Sequence, residues 1–331
     1  MNPIIATIKA SRWQNLLLIA ITMYLIRIGI IQPFFKILVE DSYVEFSEGM
    51  GNLDFALLVL SSLLIAAAGN LINDYFDLKI DRVNKPDKII VGRHIKRRVA
   101  MLLHVLFNIL ALLIAAFLSY KAGKIELVFI QIIIITTLWF YSTDLKKRLI
   151  FGNLSIAFCI ALIPVVVWVF EVLTLITVNF EVFDQNDAKT IFKEFSMVTL
   201  GWAIGLSVFS FMLTLAREIT KDIIDIKGDM AFSCKSLPIV FGIKKSKIIV
   251  SFLYVIVIGF IAYVQQVYLP GDRNTILYLY FLIVPFVLIT AFFTLKGNEP
   301  NHFKTPALLN KITSFIGVLF LVLVYFILNQ Q

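Results

Sequence analysis

The sequence predicts an all-α polytopic membrane protein of nine transmembrane helices, built as a parallel repeat of two four-helix halves plus one extra helix. Three observations predict it. The 331 residues are 60% hydrophobic and only 16% charged, whereas a soluble domain is about half apolar and about a quarter charged; so little charge does not cover a wet surface of that size. The apolar residues gather into segments of the roughly 20 residues that cross a bilayer's hydrocarbon. The basic residues fall almost entirely on alternate connections.

In chain order the segments are 14–34, 53–73, 99–119, 126–142, 150–171, 196–216, 247–266, 275–295 and 311–329. We number them spans 1 to 9. The first is too long for a cleaved signal peptide and no small-x-small cleavage site follows it. Of the 30 Lys and Arg, 23 lie at the N-terminus and after spans 2, 4, 6 and 8, six lie on the opposite side, and Arg27 lies inside span 1. Positive residues stay cytoplasmic. The N-terminus is therefore expected inside and the C-terminus outside, in an inner or plasma membrane. The first outer loop is acidic, with Glu40, Asp41, Glu45 and Glu48. The outer stretch 172–195 is long enough for a surface helix or a lid. An intramembrane Arg such as Arg27 either faces the bundle interior or snorkels to the nearer interface.

Other classes receive little support. Cys159 and Cys234 cannot make a disulfide framework or a thiolate zinc site. His94, His104 and His302 have no metal-ligand spacing. A net charge of +8 reads as membrane orientation rather than nucleic-acid binding. The 30 phenylalanines suit an apolar tunnel and a lipid-facing surface equally.

The chemistry sits where spans 2 and 6 enter their cytoplasmic loops. Asp74-x-x-Asp77-x-x-x-Asp81 and Asp222-x-x-Asp225-x-x-x-Asp229 share one pattern 148 residues apart, with Lys79 and Lys227 in the same register. Ile90-Val91-Gly92 is answered by Ile239-Val240-Phe241-Gly242. Four spans separate the copies, so both face the same way. The chain reads as one domain, 1–331, with halves of about 14–149 and 150–295 and a ninth helix at 311–329. At 100° per residue, Asn70, Asn73, Asp77 and Asp81 fall within about 80° of arc, and Asp222, Asp225 and Asp229 within about 60°, provided each helix continues past the bilayer. Three carboxylates on one face repel each other and call for a counter-ion. Mg²⁺ prefers hard oxygen ligands and shares its shell with substrate phosphates. The competing reading makes the acids solvated helix ends, although a cytoplasmic boundary favours Lys and Arg.

These residues resemble the UbiA superfamily of intramembrane prenyltransferases. Asn73-x-x-x-Asp77-x-x-x-Asp81 is similar to its first aspartate-rich motif and Lys221-Asp222-x-x-Asp225-x-x-x-Asp229 to its second. Tyr141-Ser-Thr-Asp-Leu-Lys146-Lys147-Arg148 with Gly152-Asn153, and Arg12-x-x-Asn15, match further segments. Many members continue the first motif as N-R-P-x-R-P-x-P-S-G; here Asn84-Lys85-Pro86-Asp87-Lys88-Ile89-Ile90-Val91-Gly92 keeps cations but loses the later prolines and the serine. The resemblance implies Mg²⁺-dependent transfer of a prenyl group from a prenyl diphosphate to a lipid-phase or amphiphilic acceptor, with the active site facing the cytoplasm. It implies metal binding by Asp77, Asp81, Asp225 and Asp229, then by Asn73, Asp74 and Asp222. It makes Asn70, Asn73, Lys146, Lys147, Arg217 and Lys221 candidates for the diphosphate. Tyr141 either serves the site with its ring or hydroxyl or belongs to the interfacial aromatic belt.

Ala216 to Asp229, with Ser236-Leu237-Pro238-Ile239, is similar to the branch that prenylates geranylgeranylglyceryl phosphate, where a glycerol hydroxyl attacks and an ether lipid forms. Val83-Asn84-Lys85-Pro86 is instead similar to homogentisate-type enzymes, where an aromatic ring attacks in quinone or pigment synthesis. A secondary transporter is the remote alternative; its sites lie nearer the bilayer midplane.

Overall fold

The computed structural model describes residues 2–40, 46–182 and 186–329. Among the described residues nine helices are long and apolar enough to cross a membrane: Trp13–Glu40, Asn52–Asn84, Arg97–Lys121, Ile125–Thr143, Phe151–Val178, Lys189–Ile224, Leu237–Tyr268, Arg273–Lys296 and Pro300–Leu328. Each matches one expected span to within a residue or extends beyond it, and takes its number. No strand occurs among the described residues. In lipid the backbone must satisfy its own hydrogen bonds, and a helix does so within one segment. Ser and Thr follow the same rule: Thr22 donates to Leu18 O at 2.7 Å, Thr174 to Phe170 O at 2.7 Å and Thr290 to Phe286 O at 2.6 Å.

Spans 2 and 3, 5 and 6, 6 and 7, 7 and 8, and 8 and 9 pack side by side, while span 9 also returns to span 6 and span 1. Small residues admit the close approaches. A Cβ on Gly29 would lie 2.7 Å from Leu321 O, and one on Gly317 would lie 2.5 Å from the Phe209 ring. One apolar core gathers Met23, Phe55, Leu58, Phe170 and Leu321; a second gathers Leu213, Tyr254, Val257 and Phe320. Leu102, Leu113, Phe129, Phe252 and Phe281 are exposed, a surface for acyl chains rather than water.

Arg27 does not snorkel. It is buried in a π-helical turn, Arg27–Ile31, with Nε 2.9 Å from Glu171 Oε1, its guanidinium 4.5 Å from the Phe55 ring centroid, and a hydrogen bond donated to Met50 O. The pair holds the half of the bundle that lies away from the acidic motifs. Of the acidic outer loop, Glu40 faces Lys36 at 3.6 Å, while Asp41 and Glu45 lie outside the described residues. The stretch 172–195 is no separate surface helix where it is described: span 5 runs to Val178 and span 6 already begins by Lys189. The Asn179 amide latches it to the loop between spans 1 and 2, accepting from Ser47 N at 2.7 Å and donating to Ser47 O at 3.0 Å.

A short helix, Pro3–Ala10, precedes span 1. Ala6 and Ala10 pack on Leu71, Val91 and Ala100, while Ile4, Ile5 and Ile8 point outward. It turns into span 1 at Arg12, whose backbone is left-handed (φ 54°).

Candidate active site

Spans 1, 2, 4, 5 and 6 enclose a cavity of about 620 Å³. Its walls change character along its length. Ile65, Ile134, Leu138, Ile160, Ile163 and Val166 line the part inside the bundle, and Asn73, Asp74, Asp77, Asp81, Lys85, Lys146, Arg217, Lys221, Asp222, Asp225 and Asp229 line the mouth. An amphiphile with an anionic head and a hydrocarbon tail has the matching polarity.

The first acidic triplet is on one face because span 2 runs unbroken to Asn84. The second is not on one continuous helix. Span 6 ends at Ile224, Asp225 leaves helical geometry (φ −92°, ψ 6°), and Asp229 sits in the short helix Ile226–Ala231. Asn84 holds this break against span 2: its Nδ2 donates to Asp225 O at 2.9 Å and its Oδ1 accepts from Gly228 N at 2.7 Å. A Cβ on residue 228 would lie 2.4 Å from Asn84 Nδ2, so only glycine fits.

Cations interleave with the acids. Arg12 Nη2 is 3.1 Å from Asp74, Lys146 is paired with Asp77, and Lys85 Nζ is 2.5 Å from Asp225. Lys221 Nζ is 2.6 Å from Glu218, which Arg217 also approaches at 3.8 Å. Asn153 Nδ2 donates to Asp222 at 2.9 Å. Asp81 and Asp229 have no ion-pair partner among the described residues. Burial, then the neighbouring Asp225 and Asp77, push the Asp229 carboxyl up to about 7.

Among the described residues no three acids converge tightly enough to enclose an ion; Lys85 and Lys146 stand between them instead. The donor set nevertheless fits Mg²⁺. It offers hard carboxylate oxygens from two facing elements, leaves Asp81 and Asp229 uncompensated, and presents a buried Asn73 Oδ1 with no hydrogen-bond partner. Mg²⁺ keeps several waters and binds through one or two carboxylates plus substrate phosphates, so a closed protein cage is not required.

The other candidates divide. Tyr141 and Asn70 line the cavity, and the Asn70 amide donates to Ser11 O at 3.0 Å, fixing the turn that carries Arg12. Lys146 faces in, while Lys147 is exposed and off the cavity wall, its carbonyl accepting from Lys235 N at 2.9 Å. The split follows from the turn after span 4. Ile150 is left-handed (φ 53°), and a Cβ on Gly152 would lie 2.7 Å from Lys146 Cα. Gly152 thus lets this turn fold onto the start of span 5. Sequence reasoning assigned no site role to Arg12, Asn84, Lys85, Asn153 or Glu218. All but Asn153 line the cavity and Asn153 braces Asp222 from behind; each lay inside a motif already singled out, as a neighbour of the residues chosen.

Comparison with known proteins gives a consistent set. Residues 46–312 match the model of the UbiA prenyltransferase family. The digeranylgeranylglyceryl phosphate synthase of Methanosphaera stadtmanae is 31% identical over 202 residues, 60% of this chain and 63% of that protein. The chain therefore spans less than two thirds of that relative's length. A structure of a digeranylgeranylglyceryl phosphate synthase superposes with a TM-score of 0.63 at 22% identity, covering 98% of this chain and 99% of that one. A UbiA homologue from Archaeoglobus fulgidus bound to DMAPP and Mg²⁺ superposes at 0.53 and 18% identity, covering 95% and 97%.

Proposed function

The chain belongs to the UbiA prenyltransferase family, and from that premise we propose that it transfers a prenyl group from an isoprenyl diphosphate to the hydroxyl of a prenylglyceryl phosphate, releasing diphosphate. The observation that carries this is the pair of acidic motifs facing each other, interleaved with cations, at the mouth of a cavity whose inner wall is mostly Ile, Leu and Val. The relative from Methanosphaera stadtmanae bears a name for this reaction, and the Archaeoglobus fulgidus homologue was solved with a prenyl diphosphate and Mg²⁺; both support the reading.

The tail of the donor lies along Ile65, Ile134, Leu138 and Ile163, and its diphosphate lies at the mouth. Asp77, Asp81, Asp225 and Asp229, with Asn73, Asp74 and Asp222 beside them, are the residues that would hold Mg²⁺. Bound there, Mg²⁺ supplies Lewis-acid polarisation and clamping of the diphosphate. Lys146, Lys221 and Arg217 neutralise charge on the diphosphate as the allylic C–O bond breaks and its electron pair passes to the leaving oxygen. The acceptor hydroxyl forms the new C–O bond and gives up its proton. The apolar walls keep water from the electron-poor carbon, which water would otherwise capture.

The distribution of basic residues supports an N-terminus inside, a C-terminus outside and a mouth open to the cytoplasm. Gly92 (φ 86°) and Gly242 (φ 79°) turn the chain at matched places after the two acidic motifs, which supports reading 14–149 and 150–295 as repeat halves.

The test is to give solubilised protein a labelled C20 prenyl diphosphate with Mg²⁺, and to offer prenylglyceryl phosphates and hydroxylated aromatic acids in parallel. A labelled ether lipid is expected. A labelled aromatic product overturns the acceptor and leaves the diphosphate chemistry standing.

A further inference from the structure

Beside the main cavity lies a second one of about 140 Å³ between spans 1, 5, 6 and 9. The two share Asn15, Ile19, Ile160, Ile163, Thr214 and Arg217, so they meet along one wall that runs from Arg217 at the donor's mouth into the apolar part. The second cavity adds Lys311 and Ser314 from span 9 and Ser210 from span 6, with no Asp or Glu in its lining. Lys311 makes no ion pair or hydrogen bond among the described residues.

Lys311 has no acid beside it among the described residues, and Arg217 has only Glu218, 3.8 Å away on the main-cavity side. An unpaired cation at the edge of a low-dielectric bundle favours an anion brought in from outside. The volume suits a small headgroup and not a C20 chain. Leu18, Leu213 and Val318 line the rest of the cavity, so the head that enters belongs to an amphiphile.

We propose that this second cavity seats the phosphate of the acceptor lipid, held by Lys311 with Arg217 on the shared wall. The inference rests on the prenylglyceryl phosphate reading above. In that acceptor the attacking hydroxyl and the phosphate are carried on neighbouring carbons of one glycerol. A phosphate seated at Lys311 therefore delivers the hydroxyl to the shared wall, where the two cavities meet. Lys311 gives the acceptor phosphate a cation that the donor diphosphate does not use, while Arg217 stands on the wall between the two seats. Lys311 is a specificity residue for the acceptor and has no role in breaking the donor's bond.

The test is steady-state kinetics on the full chain with Lys311→Gln, using a prenylglyceryl phosphate and the same prenylglycerol without its phosphate. The KM for the phosphorylated acceptor is expected to rise roughly tenfold to a hundredfold, the scale of a lost hydrogen-bonded charge. The donor KM is expected to hold, and the preference for the phosphorylated over the unphosphorylated acceptor to collapse. Lys311→Arg is expected to recover most of that preference. Retention of the preference in Lys311→Gln overturns the proposal, and so does a parallel rise in donor KM, which would mark a general structural lesion. Wild-type protein that ignores both lipids and prenylates an aromatic acid overturns the proposed function itself, so the wild-type measurement separates the two failures.

Discussion

Asn84, the last residue of span 2, accepts the backbone N–H of Gly228 at 2.7 Å and so ties the first acidic motif to the second across the cavity mouth. A side chain at 228 has no room beside it. Gly228→Ala or Asn84→Ala is expected to lower kcat/KM at least tenfold, because a misplacement of about 1 Å carries penalties of up to a hundredfold. The melting temperature is expected to move little. Loss of folding and loss of turnover in proportion would show that the tie is merely structural.

Asp77→Asn and Asp225→Asn each remove a carboxylate from one side of the mouth and strand the lysine paired with it, Lys146 or Lys85. Each is expected to cut turnover by about a hundredfold or more, the scale of removing one preorganised electrostatic contact. Both variants are expected to stay folded. Rates near wild type at limiting Mg²⁺ would remove these acids from the metal site.

Asp229, with its carboxyl raised to about 7, makes the site sensitive to pH in a stated direction. Its folded value lies above the roughly 3.9 of an unfolded chain. Its contribution to stability is therefore fully present below about pH 4 and is lost as the pH rises through 7. The proton competes with Mg²⁺ for the same oxygens. Half-saturating Mg²⁺ is expected to rise as the pH falls from 8 to 6, and stabilisation by added Mg²⁺ to be larger at pH 8. Melting curves across pH, with and without Mg²⁺, read both; an Mg²⁺ effect independent of pH would take Asp229 out of the site.

Arg27 and Glu171 form a buried ion pair, at 2.9 Å with each residue under 7% exposed. Removing one partner of such a pair leaves an uncompensated charge and costs about 3–5 kcal/mol. Arg27→Met is expected to lower thermal stability in detergent on that scale while leaving turnover per folded molecule intact. A selective fall in turnover would give this arginine the site role that its distance from the acidic motifs argues against.

Much of this architecture is legible in local sequence. Nine spans could be read because lipid requires each crossing segment to be apolar over its full length, and the first acidic face because one helix carries it. The break at Asp225 was not legible, because what holds it is Asn84, 141 residues away. Lys146 and Lys147 are equivalent in sequence; the left-handed Ile150 and the crowded Gly152 decide which one enters the cavity. Arg27 looked free to snorkel because Glu171, its partner, lies on another span. For Asp225 and Arg27 the missing information was a long-range contact between helices, and for Lys146 it was the backbone of one tight turn; no periodicity encodes either.

The helix Pro3–Ala10 rests on the bundle by its alanines and turns its isoleucines outward, and it delivers Arg12 to Asp74 through a left-handed turn. Where such a helix lies in the headgroup layer, that layer bears on one wall of the cavity mouth. Turnover is then expected to depend on lipid headgroup size and on the choice of detergent, with every substrate contact unchanged.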